Sequence, residues 1–191
     1  MKLAIIKEFL RSPRTVGTVF PSSRHLAHQM TAGIGIERAR SVVEIGPGSG
    51  AFTGDIVKKM SADAKFIMVE LNRDFYSRLT QRYPTLKVIN DSAERLVEIL
   101  RGENIEKADV VVSGLPWAVF PETLRTRIMG QIHDCLADGG HFSTYAYFQG
   151  CYLPSGRKFK KMLTEKFAEV RRSPLVIRNL PPAYVYHCKK H

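Results

Sequence analysis

The chain has 191 residues, enough for one domain with a full core, and its 44 % hydrophobic content is that of an ordinary globular protein rather than a disordered or fibrous one. Twenty-nine Lys and Arg against 18 Asp and Glu leave a formal charge of +11, which calls for a polyanionic partner, either nucleic acid or an anionic membrane. No run is long and apolar enough to span a bilayer, Lys7, Glu8 and Arg11 interrupt any signal-peptide core, and the dispersed Cys135, Cys151 and Cys188 suit a reduced cytosolic compartment.

Residues 1–10 predict a short amphipathic helix, with Leu3, Ile6 and Leu10 aligned, Ile5 and Phe9 beside them, and Lys7, Glu8 and Arg11 opposite. A helix this short needs a surface to fold upon, either the protein's own core or a lipid interface. Pro13, Gly17 and Pro21 make 11–23 irregular, and Ser22 or Ser23 should cap a helix running to Met30. His25 and His28 lie one turn apart without a third ligand, so no metal is expected. Strands are expected at 41–46, 65–70, 86–91, 108–113, 139–147, 169–177 and 183–189, and helices at 51–61, 73–82, 93–101, 121–136 and 155–166. That alternation predicts a mostly parallel sheet with helices on both faces. The last two strands, separated by a stretch containing Asn179-Leu180-Pro181-Pro182, have no helix between them, so they should pair antiparallel.

The most informative stretch is Val42-Val43-Glu44-Ile45-Gly46-Pro47-Gly48-Ser49-Gly50, an apolar strand turning into a helix through three glycines. Such a turn lets backbone approach a ligand at the carboxyl end of the first strand. A P-loop would need Lys and Ser or Thr after the last glycine, where the chain has Ala51-Phe52. Gly46, Gly48 and Ala51 satisfy the dinucleotide pattern, so the glycines alone do not choose between a dinucleotide and S-adenosylmethionine (SAM). Glu44 favours SAM, because an acid there would hold an α-ammonium group and repel a pyrophosphate; an ordinary ion pair is the alternative. Glu70 ends the next strand, twenty residues after Gly50, at the distance from which an acid reaches ribose hydroxyls. Asp91 ends the third strand and fits either an adenine amino group or a helix cap, with Ser92 as a further cap.

These residues, with Ser113-Gly114-Leu115-Pro116-Trp117, resemble the class I SAM-dependent methyltransferases. Two subfamilies are similar: bacterial phospholipid N-methyltransferases acting on phosphatidylethanolamine, and rRNA adenine dimethyltransferases. Phe9-Leu10-Arg11-Ser12-Pro13, Thr18-Val19-Phe20-Pro21-Ser22-Ser23 and Arg178-Asn179-Leu180-Pro181-Pro182-Ala183 resemble the phospholipid group. The resemblance covers essentially the whole chain. It implies a Rossmann-like α/β fold with a seven-stranded sheet, mostly parallel with an antiparallel last strand. Residues 1–30 would form a cofactor- and membrane-facing segment, and 31–191 the methyltransferase domain. It also implies SAM as cofactor, S-adenosylhomocysteine as product, and no metal. Glu44, Gly46, Pro47, Gly48, Ser49, Gly50, Glu70, Leu71, Asp91, Ser92, Ala93 and Ser113 would form the cofactor site.

The loop Ser113–Trp117 would hold the acceptor nitrogen by backbone carbonyls and an aromatic face. The rRNA enzymes usually carry Asn and Tyr or Phe there, so Ser113 and Trp117 fit the phospholipid group better. A tight turn with Trp117 as core anchor is the other reading of the same residues. Methyl transfer needs no enzyme nucleophile, only alignment and exclusion of water. The acceptor must shed a proton, and Tyr145, Tyr147 or water are the candidates. Phe20, Trp117, Tyr145 and Tyr184 offer aromatic faces for a methylated ammonium, although the strand positions of Tyr145 and Tyr147 also suit the core. Arg178 fits a lipid phosphate or a structural ion pair, and the tip at 148–158 a headgroup region. The reading is of a phosphatidylethanolamine N-methyltransferase, making phosphatidylcholine precursors at the inner face of the cell membrane. The partners expected are phospholipid and an anionic membrane surface, with no nucleic acid and a monomer in solution; an rRNA adenine N6-methyltransferase is the alternative.

Overall fold

The computed structural model describes residues 22–191. The expected helix over the first ten residues, and Phe20, lie outside the described residues. The apolar runs form seven strands of one sheet: β1 (Ser41–Ile45), β2 (Lys65–Val69), β3 (Lys87–Ile89), β4 (Ala108–Ser113), β5 (Leu136–Tyr147), β6 (Glu169–Arg172) and β7 (Ala183–Lys189). Their spatial order is β3-β2-β1-β4-β5-β7-β6. β1 pairs parallel with both β2 and β4, whereas β7 runs antiparallel between β5 and β6. This is the expected Rossmann-like sheet with an antiparallel last strand.

Seven α-helices flank the strands among the described residues: α1 (Arg24–Met30), α2 (Thr53–Lys59), α3 (Arg73–Arg82), α4 (Leu96–Gly102), α5 (Glu122–Cys135), α6 (Phe148–Tyr152) and α7 (Pro154–Lys166). Alternate residues of β1 feed two cores, as a period-two strand buried on both faces requires. Val42 packs with Leu26 and Met30 of α1, Ile56 of α2 and Leu79 of α3. Val43 and Ile45 belong to the opposite core, with Leu96 of α4, Ile132 of α5 and Phe159 of α7. Ser23 caps α1, its Oγ accepting from the Leu26 N–H at 3.2 Å.

Several boundaries move by one or two residues, among them the third strand, which spans only 87–89 of the expected 86–91, and three elements differ for an evident reason. β6 ends at Arg172 instead of 177, because Pro174 has no N–H for the ladder, and only a single bridge, Val176 to Ala183, resumes the pairing. β5 starts at Leu136, where a register shift against β4 between Ala108 and Val110 absorbs the Gly139-Gly140 pair. The expected helix at 93–101 opens as a 3₁₀ turn, Ala93–Arg95, before α4 begins.

From β1 the chain winds outward through β2 and β3, then returns to add β4 on the other side. The connections leaving β1 and β4 therefore part in opposite directions, and a crevice opens beyond their carboxyl ends.

Candidate active site

Two loops meet in that crevice. Gly46 leaves β1 with φ +63°, a left-handed conformation that favours glycine. Its N–H donates to the Val69 carbonyl, and the Gly114 N–H donates to the Ile45 carbonyl, each at 2.9 Å. A Cβ on Gly114 would overlap the Gly46 carbonyl oxygen, and one on Gly46 would come within 2.6 Å of Leu115 Cδ2. The glycine turn and the 113–117 loop are thus in backbone contact, which explains glycine at both positions.

Glu44 lies beneath this junction, fully buried on the α1–α2 side of the sheet. Its Oε2 accepts from the Thr53 hydroxyl at 2.7 Å at the start of α2. Its Oε1 is buried without a hydrogen-bond partner among the described residues. Burial raises its pKa to about 8, against the Thr53 hydrogen bond and with a further push from the negative charge of Glu70. A buried acid with one unoccupied oxygen at the base of a glycine turn suits a cationic group, so the donor set fits the α-ammonium of SAM. Thr53 was not singled out by the sequence. The available signal was its place, nine residues after Glu44, at the start of the helix that the glycine run leads into.

Glu70 follows β2 and is also buried, which raises its pKa. Oε2 accepts the Gly48 N–H at 2.9 Å, and Oε1 accepts the Asn72 N–H at 2.8 Å. The carboxylate therefore pins the glycine turn to the carboxyl end of β2. Each oxygen retains a further lone pair for a hydroxyl. Leu71 next to it is 45 % exposed, and the Asn90 amide donates to the Glu70 carbonyl at 2.8 Å, tying the ends of β2 and β3 together. Asp91 accepts the Ser92 N–H at 2.7 Å and pairs with Arg95 at 2.8 Å. Ser92 accepts the Glu94 N–H at 3.2 Å and caps the 3₁₀ turn, with Ala93 buried behind it. Pro47 and Gly50 are buried and Ser49 exposed, its carbonyl accepting from Arg82 at 3.2 Å.

The geometry of Trp117 is that of the core anchor. The indole is 2 % exposed, stacked on Phe159 at 5.1 Å and met edgewise by Phe120 and Phe142. Its Nε1–H donates to Thr144 Oγ1 at 2.9 Å and to Ser113 Oγ at 3.2 Å. No face of the ring is open to an acceptor in this conformation; the side chain instead fixes Gly114, Leu115 and the half-buried Pro116 from below.

Tyr145 is half-buried, packed against Phe52 at 5.8 Å and Tyr147 at 5.4 Å, and hydrogen-bonded to Ser22 and Tyr147. Burial pushes its phenol far up, and that of Tyr147 up as well. A neutral phenol accepts protons poorly, so the burial of both tyrosines disfavours the candidate base role. Tyr184 carries the Arg172 guanidinium 4.2 Å over its ring. Arg178 is exposed and has no ion-pair partner among the described residues, its Nη1 at 3.2 Å from His25 Nε2.

Comparison with known proteins agrees with this geometry. Residues 11–94 match the family model described as ribosomal RNA adenine dimethylase. The chain is 31 % identical to the ornithine lipid N-methyltransferase of Singulisphaera acidiphila, over 95 % of this chain and 92 % of that one. It is 27 % identical to ribosomal RNA small subunit methyltransferase A of Hydrogenobaculum sp., over 65 % of this chain and only 46 % of that protein. In fold it is similar to the SAM complex of the O-methyltransferase TomG from Streptomyces achromogenes, with a TM-score of 0.69, 14 % identity and coverage of 98 % and 90 % of the two chains. The N-methyltransferase NodS from Bradyrhizobium japonicum gives 0.65, with 16 % identity and coverage of 87 % and 94 %. With its switch-point crevice, glycine turn and buried acids, the chain belongs to the family of class I SAM-dependent methyltransferases that includes the Singulisphaera acidiphila enzyme.

Proposed function

We propose that this enzyme methylates the amine of a membrane lipid, namely phosphatidylethanolamine and its methylated derivatives on the way to phosphatidylcholine. The observation that carries the reading is the 31 % identity, across nearly the whole chain, to a lipid N-methyltransferase. Ornithine and ethanolamine both present a primary alkyl amine, so the same amine chemistry serves either headgroup.

SAM, when bound, supplies a methyl group already activated on a sulfonium. The chain's own residues then have three tasks. Glu44 holds the cofactor's ammonium, Glu70 the ribose hydroxyls, and Leu71, Asp91, Ser92 and Ala93 the adenine, while Gly46 to Gly50 keep backbone close. Ser113, Gly114, Leu115 and Pro116 present carbonyls to the acceptor's N–H groups, with Trp117 and Tyr145 as the packing that keeps the loop in register. Phe20, Tyr147 and Tyr184 offer aromatic faces to the methylated ammonium, and Arg178 a guanidinium to a lipid phosphate. Orientation of amine against methyl supplies much of the acceleration, and water takes the amine's proton.

The site of action would be the inner face of the cell membrane. The association would be peripheral, with the basic charge of the chain meeting anionic headgroups; none of the described helices is long and apolar enough to cross a bilayer. An rRNA adenine reading draws on the family match over 11–94. Transfer of labelled methyl from SAM to detergent-dispersed phosphatidylethanolamine, ornithine lipid and rRNA separates the readings. Label in phosphatidylethanolamine is expected. Label in ornithine lipid alone would keep the amine chemistry and change the lipid, and label in RNA alone would refute the proposal.

A further inference from the structure

The large apolar side chains left exposed are not scattered. Seven are well exposed among the described residues, and six of them lie on segments that leave or enter the sheet at its carboxyl edge: Leu71, Val119, Tyr152, Leu153, Ile177 and Leu180. Only Val57, on α2, lies elsewhere. Ile177 and Leu180 are the most open, at 72 % and 66 %. Both stand on the connection from β6 to β7, which Asn179 holds in place. Its side chain accepts the Ser23 N–H at 2.8 Å and donates to the Pro181 carbonyl at 2.7 Å. The two apolar side chains are therefore presented on a braced connection.

The same connection forms one wall of a cleft of about 530 Å³, and the outer side of α1 forms the other. Arg24, His25, His28 and Arg178 line it, Leu175 and Ile177 give it an apolar side, and no carboxylate is among its walls as far as the described residues form them. Arg178 and His25 stand 3.2 Å apart, and neither Arg24 nor Arg178 has an ion-pair partner among the described residues. None of the glycine turn, Glu44 or the 113–117 loop contributes to the cleft.

We propose that the carboxyl edge of the sheet docks on an anionic phospholipid bilayer, with Ile177 and Leu180 entering the acyl boundary and the Arg24–Arg178 cleft taking a lipid phosphate. Cations beside exposed aliphatic side chains match the layering of a bilayer surface, phosphate outside and hydrocarbon within. A second copy of the chain fits poorly, because a symmetric contact would set two uncompensated arginine clusters against each other. RNA would leave the aliphatic pair without a counterpart. The proposal deepens the lipid-methylation reading and rests on it for the choice of a membrane partner. It adds that the face carrying the active-site crevice is the one that meets the lipid.

The test is co-sedimentation of the full chain with vesicles of phosphatidylcholine alone or enriched in phosphatidylglycerol, without an amine lipid substrate and without SAM. Binding to the anionic vesicles only, weakened by salt, is expected. Each of Arg24→Ala and Arg178→Ala should weaken it about fivefold, since a basic side chain near an anionic surface contributes about that factor. The double variant Ile177→Ser with Leu180→Ser should weaken it by about tenfold or more. Arg101→Ala, at the opposite edge, removes the same charge and should change little. All five positions are exposed, and thermal melts would check that the variants fold. Absence of wild-type binding, equal binding to neutral vesicles, or undiminished binding by the cleft and aliphatic variants would each overturn the proposal. Methyl transfer to detergent-dispersed lipid that survives such a result would leave the chemistry standing and reject the docking face alone.

Discussion

Replacing Glu44 by Gln should make the protein more stable and a weaker binder of SAM. The buried carboxyl ionises near pH 8 when folded, against an ordinary value of 4.5. A raised acid pKa means that the folded chain keeps a proton which the unfolded chain has released, so stability falls as pH rises from about 4.5 to about 8. At 1.36 kcal/mol per unit, Glu44 alone costs roughly 3–4 kcal/mol between pH 5 and pH 8. Glutamine keeps a carbonyl for the Thr53 hydroxyl and removes the ionisation. For a chain of this size the melting-temperature gap between E44Q and wild type should therefore widen by roughly 7–14 °C between pH 5 and pH 8. The comparison is made as a difference because His187 works in the opposite sense. Burial lowers its pKa to about 4, so its contribution to stability rises with pH up to about 6.5 in both proteins. Calorimetry supplies the second half of the test. Wild-type affinity for SAM should rise with pH up to about 8 as Glu44 gives up its proton to meet the ammonium. E44Q should bind about ten- to hundredfold more weakly, without that dependence. A gap that does not change with pH would refute the buried-acid argument, and unchanged SAM affinity would refute the ammonium contact.

Gly114→Ala should reduce turnover and SAM affinity together, because the new methyl group meets the Gly46 carbonyl and pushes the two loops apart; full activity would show that their contact is dispensable. Trp117→Ala should cost about 3–5 kcal/mol in urea unfolding, the usual cost of emptying a large aromatic site, and a loss below about 1 kcal/mol would contradict the stacked, doubly hydrogen-bonded anchor. Tyr145→Phe keeps the packing on Phe52 and should lower turnover less than tenfold without moving the pH profile, whereas a shifted limb in that profile would restore a proton-transfer role. A thiol reagent should modify the partly exposed Cys151 quickly in the native protein and reach Cys135 and Cys188 only on unfolding, since burial raises the Cys135 thiol to about 12 and Cys188 further still.

The local patterns that set the fold were legible because each is a short-range constraint. Val42 to Ile45 running into Gly46 reads as a buried strand and a tight turn whatever lies around it, and the spacing to Glu70 and Asp91 follows from one strand–helix–strand unit each. The absence of a helix between β6 and β7 was visible in four residues, and it fixed the antiparallel strand. Side-chain orientation was not legible at that level. Trp117 next to a glycine-proline turn is compatible with a ring facing a ligand or facing inward, and the choice was made by Phe159 on α7 and Thr144 on β5, both distant in sequence. The same holds for Tyr145, whose ring packs on Phe52 and whose hydroxyl meets Ser22.

The sequence by itself therefore determined the strand order's ingredients, the glycine turn and the acids at the strand ends, because strand and turn propensities act over a few residues. Only the tertiary structure decided that Glu44 has one oxygen satisfied by Thr53 and one left over, and that Glu70 clasps the turn it was expected to serve. It alone drew Arg24, His25, His28 and Arg178 into one cleft beside Ile177. Desolvation and hydrogen-bond satisfaction depend on what the rest of the chain removes from water, and that is set by packing between elements, not by the order of residues within one.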